Sequence, residues 1–344
     1  MWNKTALSLC LLACTLQGEA QNEKAVDYTP KINGTIRAKY EYQPEDNKGR
    51  FEVRNARVSV QGNVAKNVSY KAEIDLSDEG RIRMLDAFTS IKPFPKTSFL
   101  LGHTRVPFTI DAHRSPHLRY FANRSFIAKQ MGSVRDVGFV ASYQSSFLIP
   151  IQWQAGIFNG SGLTSQKDYW TGSLNYSVKA HLFFPKGWNV VLSTQQVNPM
   201  DVKIKMYDAG AYYHAKGWHA EVEYMYKHYE KNAFPTSHAL NAFLSYDIPL
   251  KRNFFSKVSP LVRYDYMSDN SNGLKYKDEK EDKTGSLVIN DYKRSRITGG
   301  VTLSIDKPFV SDIRINYEKY FYRKDALVKV SEKDKFVIEV MTRF

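Results

Sequence analysis

Apolar and polar residues alternate along most of the chain. The clearest case is the C-terminal segment 334–344, which would carry Phe336, Ile338, Val340, Thr342 and Phe344 on one face and Val337, Glu339, Met341 and Arg343 on the other. Successive side chains of a β-strand point to opposite faces. The same pattern recurs at 67–76, 218–227 and 295–305. The chain is therefore predicted to consist of amphipathic strands.

Sixteen such segments can be recognised, which is an even number. They are 31–42, 50–61, 67–76, 81–92, 97–103, 136–145, 150–158, 169–180, 187–196, 205–215, 218–228, 236–248, 257–268, 293–305, 311–322 and 334–344. Connections after even-numbered strands are short, and the long ones, 104–135, 159–168, 269–292 and 323–333, follow odd-numbered strands. This alternation is typical of an all-β fold, the transmembrane antiparallel β-barrel. Periodicity alone leaves a soluble secreted β-protein open, since its apolar faces would form a core.

The chain ends on a complete strand rather than on a frayed polar tail. A closed barrel has no free edge, so its last strand must pair with the first. A C-terminal strand that ends in Phe344 also resembles the signal by which bacterial outer-membrane barrels are recognised for assembly. We therefore predict that Phe344 is an assembly signal, and that the barrel assembly machinery and outer-membrane lipid are partners.

The N-terminus predicts export. Lys4 precedes the apolar run 6–16, and Gly18-Glu19-Ala20 forms a small-x-small cleavage site, which is the layout of a secretory signal peptide. We predict a signal peptide at 1–20 and a single β-barrel domain at 21–344, located in the bacterial outer membrane. Both cysteines lie in the leader, so the mature protein would contain no thiol or disulfide. The segment 11–14 weakly resembles a lipoprotein box, but cleavage there would leave an unusually short leader.

The chain is basic, with 49 Lys and Arg against 35 Asp and Glu and a formal net charge of +14. Such a balance admits nucleic acid, anionic membrane or small anions as partners. Nucleic acid is not favoured, because the charges alternate with apolar residues throughout and export is predicted. Beyond the first residues no stretch is long and apolar enough for a membrane-spanning helix.

The segment 104–135 departs most from the strand pattern. Its many apolar residues must be buried, and the barrel interior is the nearest place. It carries six cations against a single acid, Asp111; they are Arg105, Arg114, Arg119, Arg124, Lys129 and Arg135. Guanidinium groups in a pore would bind oxyanions and create a positive constriction. The alternative is that these cations only fasten the loop, by pairing with inward acids such as Glu73, Asp75, Glu221, Glu223, Asp265 and Glu318.

This segment also carries a family resemblance. Gly102, Pro107-Phe108, Ser115, Leu118, Phe121, Arg124-Ser125 and Arg135-Asp136-Val137-Gly138 resemble the phosphate-selective porins O and P. The resemblance implies a barrel of sixteen strands, a homotrimer, a third outer loop folded into the lumen, and basic residues along the wall. Candidates at inward positions are Arg37, Lys39, Lys71, Arg263, Arg294, Arg296 and Arg314. The chain departs from the family at Asn123, where a glutamate is frequent, and this puts phosphate specificity in doubt.

Other chemistry finds little support. His103, His113 and His117 are loosely grouped, but Pro116 interrupts the last two and no acid completes a metal site. Ser and His are present without a nucleophile-elbow motif, so no catalytic residue is assigned. We predict a non-enzymatic porin that needs no cofactor or metal and allows passive diffusion of small anions, with phosphate selectivity as the finer hypothesis. The alternatives are a non-conducting structural or partner-bound barrel and, less favoured, an outer-membrane hydrolase.

Overall fold

The computed structural model describes residues 26–344 except 79, 132–134, 147, 164–165, 199–201, 252–253, 278–283 and 307. The predicted signal peptide, 1–20, lies outside the described residues. In the described part of the chain, no helix is long and apolar enough to cross a membrane.

Sixteen strands, each antiparallel to the next along the chain, form one sheet. They are β1 Lys31–Gln43, β2 Lys48–Ala65, β3 Val68–Asp78, β4 Arg81–Ile91, β5 Thr97–Arg105, β6 Arg135–Ser145, β7 Ile151–Phe158, β8 Asn175–Phe183, β9 Trp188–Val197, β10 Ile204–Ala215, β11 Trp218–Tyr229, β12 Ser237–Tyr246, β13 Lys257–Met267, β14 Arg294–Ile305, β15 Val310–Tyr322 and β16 Lys335–Arg343. The two-residue segment Ile248–Pro249 extends the pairing of β12 with β13. A small separate hairpin, Lys275–Lys277 with Thr284–Leu287, lies in the connection after β13.

The sheet closes on itself. β16 pairs with β1 in an antiparallel register that runs from Thr35 opposite Arg343 to Tyr42 opposite Phe336. Beyond the last strand residue, Phe344 and Gly34 exchange two backbone hydrogen bonds, at 2.7 and 3.1 Å. The fold predicted from the sequence, a closed antiparallel barrel of sixteen strands, is confirmed.

Periodicity alone did not determine whether the apolar face of the strands points out of the barrel or into it. Phe336, Ile338 and Val340 on β16 remain about half exposed on the outer surface, at 45–49%. Their neighbours of opposite parity, such as Glu339, are fully buried inside. The apolar face of the strands therefore looks outward and the polar face lines the interior, as in a barrel surrounded by lipid.

Most strand boundaries agree with the sequence within a few residues, but the prediction of a strand at 169–180 was wrong at both ends. The observed β8 begins at Asn175, which pairs with Phe158, the last residue of β7. After Phe158 the chain turns away through Gly160 and Gly162, both with positive φ. Residues 169–174 therefore have no neighbouring strand to pair with, although their aromatic residues favour a strand.

The connections also alternate in length. The two-residue turn between β10 and β11 is Lys216-Gly217, with φ of 53° and 80°, the conformation that a tight hairpin requires. The longest connections, 106–134, 159–174, 268–293 and 323–334, all follow odd-numbered strands. All four therefore start from the same rim of the barrel, called here the long-loop end.

The ring of Phe344 packs over Gly34. A Cβ atom on Gly34 would lie 2.2 Å from the Phe344 ring, so the ring covers this glycine at the β1–β16 seam. Deletion of Phe344 removes both backbone hydrogen bonds to Gly34 and uncovers the seam. We expect the amount of folded barrel in outer membranes to fall several-fold, measured by heat-dependent gel mobility, while Phe344→Tyr retains it. Equal folded fractions for the deletion and the parent would contradict an assembly role for this residue.

Candidate functional site

The described part of the connection after β5, residues 106–131 and called L3, lies in the barrel interior. Wall side chains from β1, from β8 and from the neighbouring strands β13 and β14 donate to its backbone carbonyls. These bonds are Arg37 Nη2 to Ala122 O at 2.7 Å, Lys179 Nζ to Thr109 O at 2.5 Å, Arg263 Nη1 to Asn123 O at 3.0 Å and Arg296 Nη2 to Arg124 O at 2.8 Å. Because donors on distant strands reach one loop, L3 spans the lumen.

Apolar packing holds L3 from the long-loop end. Phe108, Phe126 and Ile127 are at most 1% exposed. They belong to a cluster whose wall members sit at strand ends, such as Phe158 at the end of β7 and Met267 at the end of β13. Burial of this much apolar surface favours one fixed position of the loop.

A buried carboxylate joins two parts of L3. Asp111 accepts hydrogen bonds from the backbone N–H and the hydroxyl of Ser125, at 3.0 and 2.9 Å. Burial by itself would raise the pKa of Asp111, but the guanidinium groups of Arg114 and Arg124 outweigh it and lower this pKa below the ordinary value. Asp111 thus stays ionised and holds the loop closed on itself.

The six loop cations predicted from the sequence fall into two groups in the structure, according to whether they pair with an acid. Three have acidic partners: Arg114 binds Glu221 (Nη1 to Oε1, 3.0 Å), Arg135 binds Asp86 (2.7 Å) and Lys129 binds Glu332 (3.1 Å). The other three form no ion pair with any described residue: Arg105, Arg119 and Arg124. Arg105 and Arg124 donate to loop carbonyls, including Ala112 O at 3.3 and 3.2 Å. Ion pairing with acids therefore accounts for the first group only.

All seven wall cations predicted from the sequence face inward, and each has an acidic partner. The pairs are Arg37 and Arg314 with Glu339, Lys39 with Glu41, Lys71 with Glu73 and Asp86, Arg263 and Arg296 with Asp265, and Arg294 with Glu332. Their charges are largely balanced locally. The amide of Asn123, where the family often has glutamate, donates to Glu318 at 3.0 Å.

Open space in the lumen lies between one edge of L3 and the wall formed by β1–β7. A cavity of about 320 Å³ is lined by Lys71, Asp86, Arg105 and His113, with Ser90, Ser98, Ser142 and Gln154 among its other residues. A second cavity, of about 190 Å³, is lined by Arg57, Glu73, His117 and Arg343. Lys71 and Ser115 line both. These two volumes are called the lumen cavities.

Two cations of the lumen cavities were missed in the sequence. Arg343 lies inward on β16 and contacts His117 of L3, without an acidic partner among the described residues. Its parity in the tail was visible, but it was read only as the polar face of the last strand. Arg57 pairs with Asp75 at 3.0 Å. A bulge at Arg54 interrupts the alternation of β2, so the simple pattern did not identify Arg57 as inward.

The lumen cavities carry an excess of positive charge. Five cations lie on them or are paired to their walls, namely Arg57, Lys71, Arg105, Arg135 and Arg343, and three acids accompany them, namely Glu73, Asp75 and Asp86. Five against three leaves two unneutralised charges. Of these five, Arg105 and Arg343 have no acidic partner among the residues that the structure describes, so they carry this excess.

The histidines of L3 are held in the neutral form. Burial, followed by the guanidinium groups of Arg343 and Arg314, lowers the pKa of His117 to about 4. Burial and Lys179 lower the pKa of His113 well below its ordinary value. Among the residues that the structure describes, no three His, Asp or Glu side chains are grouped as metal ligands.

His117 should make selectivity depend on pH in acid. It is neutral at pH 7 and gains a positive charge only as the pH falls through about 4, which raises the attraction for anions in the adjoining cavity. We expect the reversal potential under a KCl gradient to move toward the chloride value between pH 6 and pH 3.5. Carboxylates also titrate in this range. The contribution of His117 is therefore measured as the part of the shift in reversal potential that is lost in His117→Gln. Equal movement in parent and variant would exclude His117 as a contributor.

Comparisons with known proteins can now be set against this geometry. The model of the family described as phosphate-selective porin O and P matches residues 31–183. The match covers less than half of the chain, and over these residues the chain is similar to that family of outer-membrane porins. The search of curated proteins returned no match. Since the matched family consists of porins, it favours a channel over the hydrolase alternative, and it confirms the predicted outer-membrane location.

Several solved structures of porin-like barrels share this fold. The trimer form of OmpT from Vibrio cholerae aligns with a TM-score of 0.60 at 14% identity, covering 92% of this chain and 99% of that one. An anion-selective porin from Comamonas acidovorans gives 0.61 at 10% identity, covering 92% and 99%. The outer membrane channel DcaP of Acinetobacter baumannii gives 0.57 at 10% identity, covering 92% and 97%. At these identities the likeness concerns the fold.

The matched region, residues 31–183, contains β1–β8 and L3, and hence most of the lumen-cavity wall. Two residues of the motif, Gly102 and Asp136, have structural roles in this region. Gly102 has φ of 137°, and a Cβ on it would lie 2.2 Å from the carbonyl oxygen of Ala87. The Asp136 carboxylate accepts from the backbone N–H groups of Gly160 and Gly162, at 2.7 and 3.0 Å. These motif residues fix the loops around the lumen rather than line it.

Proposed function

We propose that this porin allows passive diffusion of small anions along the lumen cavities, between the edge of L3 and the wall of β1–β7. The observation that carries the proposal is the presence of Arg105 and Arg343 on this open side of the lumen, two cations for which the described part of the chain provides no acidic partner. The opposite side is packed with L3 and with charge pairs. Anions would therefore meet an unbalanced positive field where space is available.

The lining of the lumen cavities suits hydrated ions. Serine and glutamine side chains accompany the cations, and Phe88, Leu100 and Val140 are the apolar contributions of the larger cavity. Guanidinium groups in a narrow lumen are screened less than at an open surface. Charged side chains at a constriction select the sign of the ion that passes.

Phosphate preference is the finer part of the proposal. It is supported by the description of the matched family and by the planar donors of Arg57, Arg105 and Arg343, which suit oxyanions. The likeness to an anion-selective porin is consistent with anions in general. Phosphate would bind near Arg105, where the nearby lysine, Lys71, offers a second cation.

The remaining parts concern assembly. We propose a homotrimer in the outer membrane, with lipid around the exposed apolar face, export directed by residues 1–20, and assembly through the terminal Phe344. The trimer form of a porin with this fold supports the first part, and the apolar outer surface supports the second.

Single-channel recording in a planar lipid bilayer tests the proposal. Under a KCl gradient we expect a reversal potential close to the chloride equilibrium value, and added phosphate should reduce the chloride current if phosphate binds in the lumen. A reversal potential near the potassium value would overturn anion preference. If added phosphate leaves the chloride current unchanged, only the proposed phosphate preference is refuted.

A second candidate, a non-conducting barrel, is favoured by one observation. The apolar cluster that includes Val106, Phe126, Met206, Met225 and Leu287 fills the interior toward the long-loop end. If this packing seals the lumen, correctly folded protein will show no conductance. Correct folding would be verified by heat-dependent gel mobility before that outcome is accepted.

A further inference from the structure

A second cluster of arginines lies away from the lumen cavities. It surrounds an enclosed pocket of about 10 Å³ between L3 and the wall of β12 and β13. Four guanidinium-bearing side chains line the pocket, with Asp111 as the one carboxylate of its lining; they are Arg114, Arg119, Arg124 and Arg263. The aromatic rings of Tyr120, Phe121 and Phe243 complete the lining.

Two guanidinium donors of this lining lack partners. Arg119 is 9% exposed and Arg263 is 3% exposed. Nevertheless, Arg119 Nε and Arg263 Nη2 are buried without a hydrogen bond to any described residue. Buried donors of charged groups are costly to leave unpaired. Their convergence on one pocket indicates that a bound species satisfies them.

The charge of the pocket selects the kind of species. Arg114 is neutralised by Glu221, and Arg263 contacts Asp265 at 2.8 Å. Asp265 and Glu318 together balance Arg263 and Arg296. Within the pocket lining, Asp111 then neutralises only one of the two charges of Arg119 and Arg124. One positive charge is left uncompensated. A water molecule could accept hydrogen bonds here but could not compensate that charge.

The size of the pocket restricts the species further. About 10 Å³ of free space holds one water-sized particle. A tetrahedral oxyanion such as phosphate is too large, whereas a monatomic anion fits after small side-chain shifts. Guanidinium N–H groups and aromatic ring edges, which are electropositive, are suitable neighbours for it.

From this geometry we propose that the pocket binds one resident halide ion, chloride under physiological conditions, held by Arg119, Arg124 and Arg263. The ion is a structural component that fixes L3 against β12 and β13, distinct from the anions that diffuse through the lumen cavities. Burial and the neighbouring Arg124 guanidinium lower the pKa of Arg119 well below its ordinary value, and a bound anion would relieve this repulsion.

Crystals of the purified full-length barrel grown in sodium bromide test the proposal directly. We expect an anomalous bromine peak among Arg119, Arg124 and Arg263, replaced by an equivalent chloride peak in sodium chloride. Density at this position without anomalous signal would be a water molecule and would overturn the proposal, as would an empty pocket.

Thermal unfolding gives a second measurement that does not depend on crystals. We expect the apparent unfolding temperature to be higher by about 2 °C in sodium chloride than in sodium gluconate at equal ionic strength, because only chloride fits the pocket. Arg119→Gln should abolish the difference, while Lys324→Gln, the same change at an exposed loop lysine, should keep it. If Arg119→Gln does not fold, the salt dependence of the parent protein decides.

Equal unfolding temperatures of the parent protein in the two salts, or an undiminished difference in Arg119→Gln, would count against the site. The inference is independent of the proposed pathway. A non-conducting barrel that binds bromide in the pocket would refute the pathway and leave the halide site intact. A conducting anion pore without the anomalous peak would refute the halide site and leave the pathway intact.

Discussion

Replacement of Glu339 by leucine is expected to destabilise the barrel by about 3–5 kcal/mol, as is usual when one partner is removed from a buried charge pair. Glu339 lies on β16 and is fully buried. It contacts Arg37 on β1 and Arg314 on β15, the latter at 2.8 Å. The substitution leaves two buried guanidinium groups facing each other at the seam where the barrel closes.

The effect can be measured as the urea midpoint of the purified protein folded into lipid or detergent. Glu339→Gln should be intermediate, because the amide oxygen can still accept hydrogen bonds although the charge is lost. Glu230→Leu makes the same chemical change at an exposed loop position and should have little effect. A Glu339→Leu midpoint equal to that of the parent would show that the seam does not depend on this carboxylate.

Combined replacement of Arg105 and Arg343 by glutamine is expected to reduce the ratio of chloride to potassium permeability by roughly tenfold. Each residue places an unpaired positive charge on the lumen cavities. At about 12 Å and an effective dielectric constant of about 80, one such charge contributes roughly 0.35 kcal/mol, favourable for chloride and unfavourable for potassium, so the two charges together change the permeability ratio by roughly 1.4 kcal/mol, or tenfold. Reversal potentials under a KCl gradient measure the ratio.

Two control variants separate local from general effects of charge. Lys167→Gln removes a cation from an exposed loop and should leave the permeability ratio within twofold. Arg105→Lys keeps the charge but loses the planar fork, so it should keep anion preference and weaken any block by phosphate. An unchanged ratio in the double variant would assign selectivity to other cations.

Much of the fold could be predicted because barrel strands leave a signal in the sequence. Side chains of β16 alternate between lipid and lumen, so the period of two is visible in Phe336, Val337 and Ile338. The signal failed at residues 169–174, where strand formation depends on a neighbour that the sequence does not show. It also failed near Arg54, where one extra residue shifts the parity of β2.

The site was less predictable than the fold. The sequence indicated that L3 is basic and apolar, and the contacts of Phe108 and Ala122 show how it is held inside. It could not show that Arg114 reaches Glu221 while Arg105 meets only carbonyl oxygens. Ion pairing depends on distances between residues that are remote along the chain, and no local pattern encodes these distances.

The sequence by itself determined the strand number, the closure by the C-terminal strand and the basic character of the long loop, since each follows from local periodicity or composition. The tertiary structure decided which face meets the lipid, which side of the lumen stays open and which cations remain without an acid. Arg343 illustrates the difference. It is the second residue from the C-terminus, yet closure of β16 against β1 places it beside L3 on the wall of a cavity. Net charge at a site is a sum over side chains that only folding brings together.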